Sequence, residues 1–293
     1  MDLGFYLLQL LTGLAYASTL FLLSVGLSLI FGAMGIVNFA HGSFYMLGAY
    51  LLYAVTRGQA EGFWGGLLLV LALGFVIGAF VERVLIRPVY SRPEEYQILL
   101  TYALLLIIED LVRFLFGTGY RAFPMPQAFA GPVFLFGTPF PSYYLFLIGL
   151  TALSASLLGL FLYRTRLGAW IRAATQDREM LEALGVNVPW LYTLVFGVGI
   201  VLAMLGGAAL LPMQAATPGM AVDAVISAFI VVVIGGLGSV WGALLGAVLI
   251  GLVQALGVLL LPELAIVFPF ALMALVLLLR PWGLLGRPPA VRT

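Results

Sequence analysis

The 293-residue chain is 63% hydrophobic and 9% charged, with a formal net charge of +1. So few charges cannot give a soluble domain of this length a wettable surface, which puts the chain in lipid, and its near-neutrality argues against nucleic acid as a partner. The absence of cysteine excludes disulfides, thiolate metal sites and cysteine nucleophiles; all 13 basic residues are arginine, which excludes a phosphate-binding loop with its lysine and hence ATP hydrolysis by this chain alone.

The opening sequence MDLGFYLLQL has no basic residue, and the first in the chain is Arg57, so a cleaved signal peptide is not expected. Apolar runs suited to bilayer crossings, which need roughly 20 residues, recur at 5–31, 38–56, 63–86, 96–117, 142–163, 189–212, 222–236, 242–260 and 264–280. The run at 222–236 is short and reads also as a half-helix turning at its glycines. The expected fold is therefore an all-α, polytopic transmembrane helical bundle of eight or nine spans, a single domain over residues 1–293. Arginines cluster at Arg83, Arg87 and Arg92, at Arg164, Arg166, Arg172 and Arg178, and at Arg280, Arg287 and Arg292. Nine crossings put all three clusters, and the C-terminus, on the cytoplasmic side, with the loops near 57–62, 118–141 and 213–221 outside.

The first break in the apolar pattern is LIFGAMGIVNFAHGSFYMLGAY, residues 29–50, which holds the only histidine. If one helix ends near Gly35 and the next starts near Asn38, Asn38 caps the new helix and His41 lies on its first turn, facing a polar space. A structural alternative has His41 satisfying backbone carbonyls freed by the glycines. A second break, VVVIGGLGSVWGALLGAVLIG at 231–251, repeats the move from an apolar run through a glycine turn into another run, as an internal repeat would. Glycine breaks in both halves point to a pathway between them, although glycines also serve close helix packing.

Between the breaks, Glu109 and Asp110 lie within helical reach of Arg113 toward the outer end of their span and read as a structural ion pair. With Asp223 and Glu263 at outer span ends, no carboxylate stands at mid-membrane, which counts against proton or sodium coupling. An enzymatic role is not expected, because His41 and Ser43 point to different helix faces and no acid, metal or nucleophile constellation exists. The outer loop 118–141 is too rich in proline and glycine for a long helix, and PVFLFGTPF suits a short hairpin about Gly137, covering the pathway or packing on its own spans. Residues 168–188, GAWIRAATQDREMLEALGVNV, are far more polar than their neighbours. Trp170, Ala173, Ala174, Leu181 and Leu184 fall near helical spacing, and Gly185 suits a helix C-terminus, so a short helix lying on the cytoplasmic membrane surface is expected.

GIVNFAHGSFYMLGAY resembles the signature of the permease subunits of branched-chain amino-acid ABC importers, specifically the shorter of their two homologous permeases. In the same order, IIEDLVRFLFGTGYRAFP is similar to the family's fourth span and outer loop, RTRLGAWIRAATQDREMLEALGVNV to its cytoplasmic coupling segment, and IGGLGSVWGALLGA to its late glycine-rich turn. Urea and short-chain amide importers use closely related permeases. The resemblance implies a multi-pass protein of the prokaryotic plasma (inner) membrane without cofactors or metal. Its implied partners are a second homologous permease subunit, two cytoplasmic ATPase subunits and an extracytoplasmic solute-binding protein.

Under that resemblance, Asn38, Phe39, His41, Gly42, Ser43, Tyr45, Gly235, Gly236, Gly238 and Ser239 are the candidates for the translocation pathway or gate. Trp170, Arg172, Ala174, Asp177, Arg178, Glu182 and Gly185 are those for contact with the ATPases. The stretch Glu182–Gly185 is similar to a truncated ABC-permease coupling motif, with Leu184 where the second alanine is expected. A pathway with few fixed charges suits a small neutral or zwitterionic solute; the resemblance implies leucine, isoleucine or valine first, then urea and amides.

Overall fold

The structure, a computed structural model, describes residues 3–286; Arg287 and Arg292 of the C-terminal arginine cluster lie outside them. Nine larger helices follow the predicted runs. They are α1 (Leu3–Met34), α2 (His41–Val55), α3 (Phe63–Val81), α4 (Glu94–Phe116), α5 (Ser142–Arg164), α8 (Val188–Leu210), α9 (Met220–Gly235), α10 (Val240–Leu260) and α11 (Phe268–Leu279). Two short helices, α6 (Arg166–Ala174) and α7 (Arg178–Ala183), stand between α5 and α8.

Among the described residues, five segments are long and apolar enough to cross a bilayer: Gly4–Met34, Ala60–Val89, Ser142–Arg164, Val188–Leu210 and Val240–Leu260. The 23 residues of α4 give it the length, about 34 Å, but its second half carries Glu109, Asp110 and Arg113. The remaining three, α2, α9 and α11, have 15, 16 and 12 residues; at 1.5 Å per residue each falls short of a hydrocarbon core about 30 Å thick. Of these, α2 sits inside the bundle, with ten of its residues buried.

The centre is built from α8, α2 and the second half of α1, around which α3, α4, α5, α10 and α11 expose apolar side chains such as Val76, Ile107, Leu157 and Leu278. An apolar exterior around a close-packed interior is what a bundle in lipid requires, where association rests on packing rather than on hiding oil from water. The helices meet at their backbones. A Cβ on Gly13 of α1 would lie 2.9 Å from the Gly251 carbonyl oxygen of α10, and one on Gly207 of α8 would lie 1.8 Å from that of Tyr45 in α2. Neither crossing admits even a methyl group.

The chain turns between α1 and α2 at Gly35 (φ +68°) and between α9 and α10 at Gly236 (φ +105°) and Gly238 (φ +80°), backbone conformations that disfavour side-chain-bearing residues. At the opposite end of the bundle, β1 (Pro132–Leu135) and β2 (Thr138–Pro141) pair antiparallel through a turn at Phe136 (φ +52°) and Gly137 (φ +78°), so the hairpin expected about Gly137 is present. Two consecutive left-handed residues match the right-handed twist of paired strands.

Two sequence expectations are corrected. Asn38 does not cap α2: the N-cap is Ala40, without a side-chain hydrogen bond, and Asn38 contributes only its carbonyl to the His41 amide at 3.2 Å. The coupling segment is not one helix. It breaks at Thr175–Asp177, because the Asp177 carboxylate accepts from the Met180 amide at 2.9 Å and caps a new helix, α7.

Candidate functional site

At the first break, His41 is fully buried and its Nε2 lies 2.8 Å from the Leu23 carbonyl of α1. A carbonyl only accepts, so Nε2 carries the proton and α2 is pinned to α1. Gly26 leaves the room: a Cβ there would sit 3.0 Å from His41 Cε1. Two residues on, Ser43 donates to the Leu105 carbonyl of α4 at 3.2 Å, while Gly42 packs on the Ala221 backbone of α9. Phe39 packs between Tyr102, edge to face, and Phe229, with ring centroids 6.4 and 5.1 Å away. Tyr45 is buried beside Gly206 and Gly207. Asn38 is buried with neither polar atom of its amide hydrogen-bonded within the protein. The structure therefore gathers these residues at the packed meeting of α2 with α1, α4, α8 and α9; none of them lines the two cavities described next.

The second break does line a cavity. Gly238 and Ser239 border a space of about 600 Å³ together with Gly32 of α1, Tyr163 of α5, and Ile171, Arg172, Thr175 and Gln176 of the α6 region. Ser239 caps α10 by accepting from the Gly242 amide at 3.0 Å. Gly235 and Gly236 lie behind, covered by the segment after α11, whose Leu284 and Leu285 amides donate to Ile234 and Gly235 at 2.9 Å. The Arg172 guanidinium stands 5.1 Å over the Tyr163 ring, and its buried Nη1 has no hydrogen bond within the protein. This cavity opens at the arginine-rich end.

Sequence reasoning missed a second cavity, of about 350 Å³, at the other end between α1, α5, α8 and α10. Its lining includes Gln9, Thr12, Tyr16, Thr19, Tyr144, Gln214 and Gln254, all uncharged. Gln9 donates to the Ala255 carbonyl at 2.6 Å, and the Gln254 Oε1 is buried without a partner. The signal was present: residues 9, 12, 16 and 19 form a polar stripe at spacings of three and four along an apolar helix.

In the coupling segment, Ile171, Ala174 and Leu181 are buried against the protein's own core, whereas Trp170, Met180 and Leu184 are exposed. Arg178 pairs with Glu182 at 2.9 Å and lies 5.4 Å over the Tyr192 ring of α8. Gly185, at φ +84°, reverses the chain between α7 and α8. Beyond Tyr192 lies a polar network that sequence reasoning also missed. The Glu82 side chain is wholly buried at the end of α3 and receives both arms of Arg87, at 3.1 and 2.9 Å, the Tyr90 hydroxyl at 2.5 Å and the Thr193 hydroxyl at 2.7 Å. Arg87 also donates to the Pro189 carbonyl in the first turn of α8 at 3.0 Å. Burial, with the hydrogen bond to Glu82 and the charge of its carboxylate adding to it, pushes the Tyr90 phenol far above its ordinary range, so it remains a donor.

Arg113 contacts both Glu109, a short i,i+4 pair, and Asp110, at 3.1 Å. Both acids are thus held by one guanidinium on their own helix.

Residues 9–277 match the family described as branched-chain amino acid transport system / permease component. The chain is 33% identical to the high-affinity branched-chain amino acid transport system permease protein BraD of Pseudomonas aeruginosa, over 97% of this chain and 96% of that protein. It is 29% identical to the corresponding permease protein LivH of Escherichia coli, again over 97% and 96%. It is 27% identical to the probable branched-chain amino acid transport permease protein LivH of Methanocaldococcus jannaschii, over 82% and 78%. No solved structure matches it significantly. With a family match over most of its length and a relative this similar end to end, the chain belongs to the branched-chain amino acid ABC transporter permeases.

Proposed function

We propose that this chain forms the solute path of an ATP-driven importer for leucine, isoleucine, valine and similar small neutral or zwitterionic amino acids. It works beside a second homologous permease, takes solute from an extracytoplasmic binding protein and is driven by two cytoplasmic ATPases. What carries the reading is the likeness to BraD along almost the whole chain. The geometry supports a path: the two cavities lie at opposite ends of the bundle, and α1, α5 and α10 contribute to both. A mostly apolar cavity with a few uncharged polar groups, Gln9, Thr12, Tyr16 and Gln254 among them, suits a solute without net charge.

In this reading the chain crosses the bilayer eight or nine times, the short α2 and α9 being shielded by their neighbours, and the arginine-rich end with the C-terminus is cytoplasmic. The exposed Trp170, Met180 and Leu184 meet the ATPases. His41 acts as the pin of the α1–α2 turn through its bond to the Leu23 carbonyl. The test is reconstitution of the full complex in vesicles. ATP-dependent accumulation of labelled leucine, isoleucine or valine is expected. Uptake of urea or amides alone, or uptake driven by an ion gradient without ATP, overturns the assignment.

A further inference from the structure

We propose that Glu82 is the positioning residue that makes the α6–α7 segment move α3 and α8 as one body, an inference that rests on the ATP-driven reading above. The joint between α7 and α8 is the weak point of any coupling through α7. It is a short turn around Gly185, whose left-handed backbone (φ +84°) has open space around it and offers an easy hinge. A push on α7 would bend this hinge before it moved α8.

Contacts across the joint oppose that bending. Arg178 of α7 reaches over the Tyr192 ring of α8 at 5.4 Å, and Tyr192 meets Tyr90 edge to face with ring centroids 5.6 Å apart. Tyr90 donates to Glu82, and Glu82 closes the chain of contacts by binding Thr193 of α8 and, through Arg87, the Pro189 carbonyl. One buried carboxylate, just past the end of α3, therefore gathers donors from the turns that follow and from the first turns of α8.

Stability alone does not account for such a group. The Glu82 carboxylate is wholly buried while the Arg87 side chain stays 35% exposed; taking a carboxylate out of water costs desolvation that a well-packed apolar cluster avoids, so the network adds geometric definition more than net stability. Its local backbone is also specialised: residues 82–86 form a π-helical turn, which brings the i and i+5 side chains Glu82 and Arg87 to one face. Such turns appear often at functional sites.

The test uses the assembled complex in vesicles, comparing wild type with Glu82→Gln and Tyr90→Phe for solute imported per ATP hydrolysed. A merely structural role lowers the yield of complex, and uptake and hydrolysis together, leaving that ratio unchanged. The positioning role predicts a ratio reduced about 2- to 30-fold, the span of typical coupling effects, in complexes that retain their ATPases. An unchanged ratio in assembled variants overturns the inference. If Glu82→Gln does not assemble, Tyr90→Phe decides on the same readout, because it leaves the Arg87 and Thr193 contacts in place. Wild-type complex without ATP-dependent uptake overturns instead the reading on which the inference rests.

Discussion

Gly32 of α1 and Gly238 of the α9–α10 turn touch backbone to backbone: a Cβ on Gly238 would lie 2.8 Å from the Gly32 Cα, and one on Gly32 would lie 2.8 Å from the Gly238 oxygen. The two glycine breaks, 206 residues apart in sequence at Gly32 and Gly238, thus meet in space at the edge of the larger cavity.

Gly238→Ala is therefore expected to be costly twice over. It strains a backbone at φ +80°, worth about 1–3 kcal/mol, and it collides with Gly32. Gly35→Ala meets the same kind of backbone cost at φ +68° but no neighbour. Thermal unfolding of the purified complex should show the larger loss at Gly238, and equal losses would remove the collision from the account.

His41 offers a test of pinning against gating. Alanine there removes the bond to Leu23 and leaves a void between α1 and α2, with an expected cost of about 2–5 kcal/mol. Glutamine keeps a donor and should recover part of the yield. Measured together, yield and uptake should fall in step; a His41→Gln protein that assembles fully yet does not transport would make His41 a gate.

The apolar runs located all nine larger helices because each run is bounded by glycine, proline or charge, and the hairpin followed from Gly137 in the same way. What escaped was three-dimensional. Glu82 and Arg87 are five apart, a spacing that an α-helix sends to different faces; only the π-helical turn pairs them. Helix caps favour asparagine, which points to Asn38, yet the turn runs on to Ala40 and buries the Asn38 amide instead. The outer cavity needed the single polar side chain of its region of α10, Gln254, to be brought to the stripe on α1 by packing, as the Gln9–Ala255 bond between residues 246 apart records.

Gln254→Leu tests that outer cavity. Losing one polar contact worth about 1 kcal/mol corresponds to roughly a fivefold slower transport rate at saturating binding protein, with complex assembly retained because Gln254 Oε1 has no partner within the protein to lose. Tyr16→Phe should act in the same direction. Wild-type rates in both variants would place the solute elsewhere.

The coupling segment yields the last prediction, and burial decides which residues to change. Ala174 and Leu181 look inward, so a bulky charge at Ala174 should destabilise the permease itself rather than report on a partner. Leu184 is 74% exposed and Met180 58%, apolar side chains on a polar segment beside the exposed charges of Arg178 and Glu182. Anchors of this kind carry most of an interface's energy, while rim charges contribute about 0–1 kcal/mol each. Leu184→Glu and Met180→Glu are therefore expected to release the ATPase subunits during purification and to abolish solute-stimulated hydrolysis. The permease itself should keep its wild-type yield in the membrane. Arg178→Ala should weaken copurification much less. Full ATPase retention in both glutamate variants would mean that the ATPases grip another part of the arginine-rich end.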